Sequence, residues 1–284
     1  MPNPLISVVM SVYNGSKYLP QSIESVLHQT FSDFEFIIIN DGATDDSLEI
    51  ISNYAEQDER IRIISHENIG LTKSLNNGIA LSNTQYIARQ DVDDISKPDR
   101  LGKQYSVMER ESAVAMVASY YELIDENGEL LARRSLPSGE KLKKRLQKEN
   151  VICHSSAFFR KEVFERIGKY DENFRYHQDH DLWKRMPVIE IIPDFLVQYR
   201  LHGMNINHVR FKDSITYDYK QYVDTHISNY VISVLLQEND KTKARKFIGK
   251  PKNLRAVFYL LLSFLPFSFV QFYFENIKWW LKRG

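Results

Sequence analysis

The 284 residues carry 37 Lys+Arg and 37 Asp+Glu, with 43% hydrophobic and 26% charged side chains. That balance is the composition of a folded globular chain and excludes an intrinsically disordered one. A formal net charge of zero removes the global electrostatic case for nucleic-acid binding, and the length suits one large domain or one domain with an appendage.

Met1-Pro2-Asn3-Pro4-Leu5 runs straight into a strand pattern, without the basic-then-apolar layout of a signal peptide. Ile6–Val12 is a β-branched apolar run that reads as a buried strand. Tyr13-Asn14-Gly15-Ser16 is turn chemistry with Ser16 as a helix N-cap, and Tyr18–Gln29 puts Leu19, Ile23, Val26 and Leu27 on one helical face. Phe34–Ile39 is a second strand, ending at Asn40-Asp41-Gly42. Asp45–Tyr54 reads as a helix with Leu48, Ile51 and Tyr54 inward. Ile61–Ile64 is a strand, Leu71–Leu81 a helix, and Gln85–Arg89 a strand that stops at Asp91-Val92-Asp93-Asp94. This alternation implies an α/β fold with a mostly parallel sheet and helices on both faces. Further on, Asp99–Glu111 reads as a helix and Val114–Tyr120 as a strand. Leu123–Leu131 is a hairpin around Asn127-Gly128, and Ser138–Lys148 is a short basic helix. Ala157–Phe159 is apolar, Lys161–Ile167 and Asp179–Met186 are short helices, and Phe211–Gln237 is a longer one.

In such sheets ligands bind beyond the carboxyl ends of the strands. Three of those ends carry polar clusters: Ser11-Val12-Tyr13-Asn14, Asn40-Asp41-Gly42 and Asp91-Val92-Asp93-Asp94. They are expected side by side at one rim. Three carboxylates within four residues repel one another, so the cluster needs solvent or a cation. Oxygen ligands suit a hard divalent metal, Mn²⁺ or Mg²⁺, that bridges phosphates. A plain acidic turn ahead of the Asp99 helix is the other reading of the cluster. No glycine-rich dinucleotide or triphosphate loop follows the early strands, which argues against a dehydrogenase-type or nucleotidyltransferase chemistry.

The run Ser7-Val8-Val9-Met10-Ser11-Val12-Tyr13-Asn14, then Asn40-Asp41-Gly42-Ala43-Thr44-Asp45, then Asp91-Val92-Asp93-Asp94, resembles family 2 glycosyltransferases of the GT-A fold. Gln178-Asp179-His180-Asp181-Leu182-Trp183 and Tyr199-Arg200-Leu201-His202 continue the likeness, which spans about residues 5–205. The resemblance implies an inverting, metal-dependent transfer from a nucleotide-sugar, a UDP-hexose or UDP-N-acetylhexosamine, to a surface glycan. It implies that Ser11 and Tyr13 line the nucleoside pocket, that Asp41 reads the base, and that Asp91 faces ribose and sugar. Asp93 would ligate the metal, with Asp94 helping to orient the donor. Asp179 would be the general base, with Asp181 as the alternative, and His202 would bind the metal or a phosphate oxygen. His154 falls in the segment that approaches the acceptor in this family, while Trp183 is either core or sugar platform. The chain departs from the family's usual pattern at Asn40 and Gln178, where an acid is common; each time the following aspartate is kept.

The catalytic domain is expected over residues 1–210, with a nucleotide-binding half to about 112 and an acceptor half after it. A basic and apolar helical extension then covers 211–284. From Asp240 onward ten Lys/Arg face two acids, Asp240 and Glu275. Ala256–Phe274 is uncharged but holds Pro266, and cations flank both ends, so a simple span conflicts with the positive-inside tendency. Trp279 and Trp280 among lysines read as an interfacial anchor. In-plane or re-entrant membrane association is the expectation for this segment, with packing against the catalytic domain or a second subunit, and a true span, as the alternatives. With Cys153 as the sole cysteine, these features point to a cytoplasmic enzyme at the inner membrane leaflet that acts on a polyprenyl-diphosphate-linked acceptor. The alternative is a catalytically silent nucleotide-sugar-binding or membrane-assembly partner of the same fold.

Overall fold

A computed structural model describes residues 4–174 and 177–202. The chain divides into two compact units, Met1–Leu201 and His202–Gly284, and the fold below is that of the first. The expected helix at 211–237 and the apolar segment 256–274 lie outside the described residues. Among the described residues no helix is long and apolar enough to cross a membrane.

The first half alternates as its periodicity predicts: β1 (Ile6–Val12), α1 (Leu19–Leu27), β2 (Phe34–Asp41), α2 (Ser47–Gln57), β3 (Ile61–His66), α3 (Leu71–Leu81) and β4 (Tyr86–Arg89). Next come a two-residue β5 (Ile95–Ser96), α4 (Arg100–Arg110), β6 (Met116–Ile124), β7 (Leu130–Arg134) and α5 (Gly139–Leu146). A 3-10 turn at His154–Ser156 leads into β8 (Phe158–Arg160), α6 (Lys161–Arg166), α7 (Gln178–Arg185) and β9 (Ile189–Arg200). The strands form one sheet in the order β3-β2-β1-β4-β8-β6-β9-β5, with β7 paired on β6. β3, β2, β1 and β4 are parallel. β8 runs against both β4 and β6, and β9 is parallel to β6. Those relations point β1, β2, β3, β4, β6 and β9 the same way, so their carboxyl ends share one rim.

Alternation along β1 explains the two cores. Val9 faces one layer with Ile37, Ile39, Leu75, Ile79, Phe164 and Trp183. Val8, Met10 and Val12 face the other with Leu19, Ile23, Ile51, Leu101 and Phe158. A sheet covered on both faces has no polar side to expose, which is why its strands read as continuous apolar runs.

Three local expectations change. α1 starts at Leu19 with Tyr18 in the cap position and Pro20 in the first turn, so Ser16 is not its N-cap. In α2, Ile51 is buried but Leu48 is 40% exposed, because the inward face is the one that carries Ser47 and Ile51, four residues apart. β9 has no counterpart in the sequence reading. Its pairing with β6 jumps from Ser119↔Ile192 to Tyr120↔Phe195, so Pro193 and Asp194 bulge out of the ladder. A proline cannot donate to a ladder, and a bulge breaks the period-2 pattern.

Trp183 is 1% exposed within the first core, so it is a packing residue and not a sugar platform. Trp183→Ala is expected to cost about 3–5 kcal/mol in urea-unfolding free energy. Trp183→Phe should cost clearly less, since the indole Nε1 has no hydrogen-bond partner among the described residues.

Candidate active site

Register places the three polar strand ends together. Val12 is level with Asn40, Asn40 with Ser65, and Val9 with Arg89. Ser11 is half-buried and Tyr13 is 51% exposed at the end of β1. Asn14 takes φ 53°, a region asparagine tolerates, and its Oδ1 accepts the Thr44 N–H at 2.7 Å. The Gly15 N–H donates to Ser47 Oγ and the Ser16 N–H to Asp45 Oδ2, each at 3.0 Å. Burial alone would raise the Asp45 carboxyl, but the hydrogen bonds from Ser47 and Ser16 hold it down to about 2. The loops after β1 and β2 are thereby locked to each other.

Asp41 is 2% exposed at the end of β2. Its two oxygens accept the Ile69 and Gly70 N–H groups at 2.8 and 3.1 Å, and His66 Nδ1 lies 3.4 Å away. Gly42, at φ 69°, lies so close to this loop that an added Cβ would stand 2.5 Å from Asn68 N. Asp41 therefore orders residues 67–70 as well as facing the rim. A carboxylate has about four acceptor sites, so three neighbours leave it capacity for one more donor.

The acidic turn separates its three carboxylates by environment. Asp91 Oδ1 accepts Arg89 Nη2 at 2.6 Å, and Oδ2 lies 3.5 Å from His154 Nδ1. Burial pushes Asp91 up, but His154 and the Arg89 guanidinium outweigh it and hold the carboxyl well below the usual range. Arg89 is itself fully buried and also donates through Nε to His154 Nε2 at 3.1 Å. Because Arg can only donate, His154 Nε2 accepts there, which places the imidazole proton on Nδ1, toward Asp91. Tyr170 Oη is 2.8 Å from the same Nε2. Asp94 is fully buried, so it does not reach a donor at the rim. Its Oδ2 accepts the Ser155 hydroxyl at 2.5 Å and its Oδ1 the Arg200 N–H at 3.0 Å, with Cys153 Sγ 3.8 Å away. Burial, then the charges of Asp93 and Asp91, push Asp94 well above the ordinary carboxylate range. Asp93 lies half-buried between the other two acids.

Arg200, the last residue of β9, staples this turn. Its Nε donates to the Asp93 carbonyl at 3.0 Å and Nη2 to Gln21 Oε1 at 2.5 Å. Nη1 reaches the Asp125 and Glu126 carbonyls at 3.3 Å, and the guanidinium lies 4.8 Å over the Tyr18 ring. The sequence reading assigned no role to Arg89 or Arg200. A charge closing an otherwise apolar strand is the signal for both, because a buried guanidinium must have partners.

Asp179 lies in the first turn of α7, whose N-cap position is His177. It is half-buried, with Oδ2 accepting Asn150 Nδ2 at 2.6 Å and Oδ1 the His180 N–H at 2.8 Å. Asp181 instead forms a two-point pair with Arg185, at 3.0 and 2.7 Å. It lines a polar cavity of about 650 Å³ with Asn76, Tyr170 and Arg185, and Asp179 is not part of that lining. Burial raises the Tyr170 phenol, Arg89 lowers it, and the charges of Asp179 and Asp91 add to the rise. His202 is half-buried and opens the second unit.

The family model described as Glycosyl transferase family 2 matches residues 7–168. The chain belongs to that family. An uncharacterized glycosyltransferase of Methanocaldococcus jannaschii is 37% identical over 239 residues, 81% of each chain. The O-antigen biosynthesis glycosyltransferase WbnJ of Escherichia coli is 37% identical over 208 residues, covering 70% of this chain and 80% of that one. Among solved structures, residues 1–349 of S. aureus TarS in complex with UDP-GlcNAc align with a TM-score of 0.60 at 15% identity. That alignment covers 86% of this chain and 71% of that one. The fold is GT-A, as the motifs implied, and the family is one of glycosyltransferases.

Among the described residues no group of three or more His, Cys, Asp or Glu side chains is placed to share a metal ion. Asp94 is buried and Asp91 is held by Arg89, which makes Asp93 the candidate ligand of the trio. Mg²⁺ and Mn²⁺ are commonly held by one or two carboxylates plus substrate phosphates and water, and the donor set fits an ion of that kind. Arg200→Met is expected to lower the unfolding free energy by about 2 kcal/mol or more, since several carbonyls lose a charged donor. Hydrogen exchange should show faster amide exchange at residues 91–94; unchanged protection there would remove Arg200 from its stapling role.

Proposed function

We propose that the protein is a metal-dependent, inverting glycosyltransferase. It moves a hexose or N-acetylhexosamine from a UDP-sugar to a polyprenyl-diphosphate-linked surface glycan at the cytoplasmic face of the membrane. The observation that carries this reading is the register of β1, β2 and β4, which lines up Tyr13, Asp41 and the acidic turn at one rim. The UDP-GlcNAc held by TarS and the O-antigen role of WbnJ support donor and pathway by analogy.

In this reading Tyr13, exposed at the rim, stacks on uracil with Ser11 beside the nucleoside, and the remaining acceptor capacity of Asp41 takes the imide N–H. Asp91, fixed by Arg89 and His154, faces ribose and sugar. Asp94 acts from below, positioning the turn through Ser155 and Arg200. Asp93 would hold a divalent cation, which would supply charge neutralisation for the departing diphosphate. Asp179 takes the proton from the acceptor hydroxyl as its oxygen bonds to the anomeric carbon. The bond from that carbon to the diphosphate oxygen breaks with its electron pair on UDP, and the configuration inverts. Pairing of Asp181 with Arg185 favours Asp179 as the base.

UDP release from a panel of UDP-sugars, with and without Mn²⁺ or Mg²⁺, tests the reading. Metal-dependent release with at least one donor is expected, and none with any donor would favour a silent binding protein. Asp179→Asn should cut transfer about a hundredfold or more while leaving donor affinity nearly intact. Asp93→Ala should weaken metal and donor binding together, measured by calorimetry. Collapse of donor affinity in the Asp179 variant would reassign that residue.

A further inference from the structure

Charge on the first unit is polarised onto one short segment. Residues 133–148 hold seven cations (Arg133, Arg134, Lys141, Lys143, Lys144, Arg145 and Lys148) against one acid, Glu140. The rest of residues 1–202 holds 17 Lys/Arg and 30 Asp/Glu. The fold displays this segment instead of neutralising it. Leu142 and Leu146 anchor α5 in the core, and the five cations at 141–148 are all exposed, as are Arg133 and Arg134 on β7. Three of the seven have acidic neighbours: Arg133 with Glu122 at 3.1 Å, Lys143 with Glu140 at 3.2 Å and Arg145 with Glu149 at 2.7 Å. Arg134, Lys141, Lys144 and Lys148 have no acid within 4 Å among the described residues.

β7 and α5 make one patch. Arg134 stands opposite Tyr121 in the β6–β7 register, and the charges of Arg134 and Arg145 both reach the Tyr121 phenol. The strand that carries Arg133 and Arg134 begins with Leu130 and Leu131, 51% and 56% exposed, on a hairpin paired to the sheet by one edge only. Adjacent exposed leucines beside a field of unpaired cations are the combination an anionic lipid surface takes up: cations to headgroups, leucines to the acyl boundary.

The patch also adjoins the acceptor side of the proposed chemistry. The carbonyl of Leu146, the last residue of α5, lies 2.6 Å from His180 Nε2, and Asn150 donates to Asp179. From β7 and α5 we infer that the catalytic unit carries its own anionic-leaflet contact, separate from the C-terminal segment, which sets α7 and its aspartate at the membrane plane where a lipid-linked acceptor emerges. The inference rests on the membrane part of the proposed function and is independent of the transfer chemistry. The competing occupant is the acidic remainder of a second copy.

The test uses the full chain and co-sedimentation with vesicles of phosphatidylglycerol and phosphatidylcholine, or of phosphatidylcholine alone. Lys141→Gln/Lys144→Gln/Lys148→Gln should weaken binding to the anionic vesicles on the order of tenfold or more, with the difference from wild type shrinking in high salt. Leu130→Ser/Leu131→Ser should weaken it by several-fold with less salt dependence. Both variants should keep wild-type UDP release from the same donor panel, which separates loss of the contact from loss of the fold or of the transfer reading. Unchanged vesicle binding in the lysine variant overturns the inference, because the remaining chain then suffices. A lysine-variant loss that is equal on phosphatidylcholine alone also overturns it, because the patch then reads no anionic surface. A change of oligomeric state by light scattering with unchanged vesicle binding assigns the patch to a second copy and overturns it as well.

Discussion

Repulsion among Asp91, Asp93 and Asp94 is the constraint around which the rest of the site is arranged. In water three carboxylates on four residues would spread apart; here each is given a different surrounding. Asp91 is charge-compensated by a buried guanidinium, with the His154 imidazole beside it. Asp94 is removed from solvent and bonded to a hydroxyl and a backbone amide. Asp93 is half-buried while part of its backbone is gripped by Arg200. Arg89 pairs with the Asp91 carboxylate and Arg200 holds the backbone of the turn, so the two arginines together fix its shape. Those arginines come from strands far apart in sequence, and the acidic turn therefore reports on assembly of the whole sheet.

This arrangement assigns the strands different duties. β1, β2 and β4 end in short polar loops at one rim, and the loops after β1 and β2 are cross-tied by Asn14, Ser47 and Asp45. β9 presents no such loop; it supplies the clamp. Its two-residue bulge at Pro193-Asp194 sets where along β6 the strand ends, and so where Arg200 meets the turn. A register error of one residue there would turn Arg200 to the other face of the sheet.

Much of this was legible in the amino-acid order. The β1-to-β4 half follows directly from periodicity, and the polar residues that end its strands lie at the rim that periodicity predicts. β9 was not legible, because a proline and a bulge erase its alternation. Nor was the division of labour inside Asp91–Asp94: three adjacent acids look equivalent in sequence, and only tertiary partners distinguish a buried Asp94 from a half-buried Asp93. Leu48 is exposed for a local reason: the helix buries small Ser47 on the face of Ile51 and leaves the adjacent leucine outside. Arg89 and Arg200 could have been suspected from cost alone, since a guanidinium at the end of a buried strand demands carbonyls or carboxylates around it.

The packing beneath the acidic turn has a practical side. Cys153 is the sole cysteine; it is buried, and desolvation together with the neighbouring Asp94 and Asp91 charges keeps its sulfur in the unreactive thiol form. Alkylating reagents will pass it by while the first unit stays folded. A single cysteine placed on the β7 hairpin would thus be the one handle for a fluorophore or spin label, with no background to engineer away, and alkylation of Cys153 would in turn time the opening of the core.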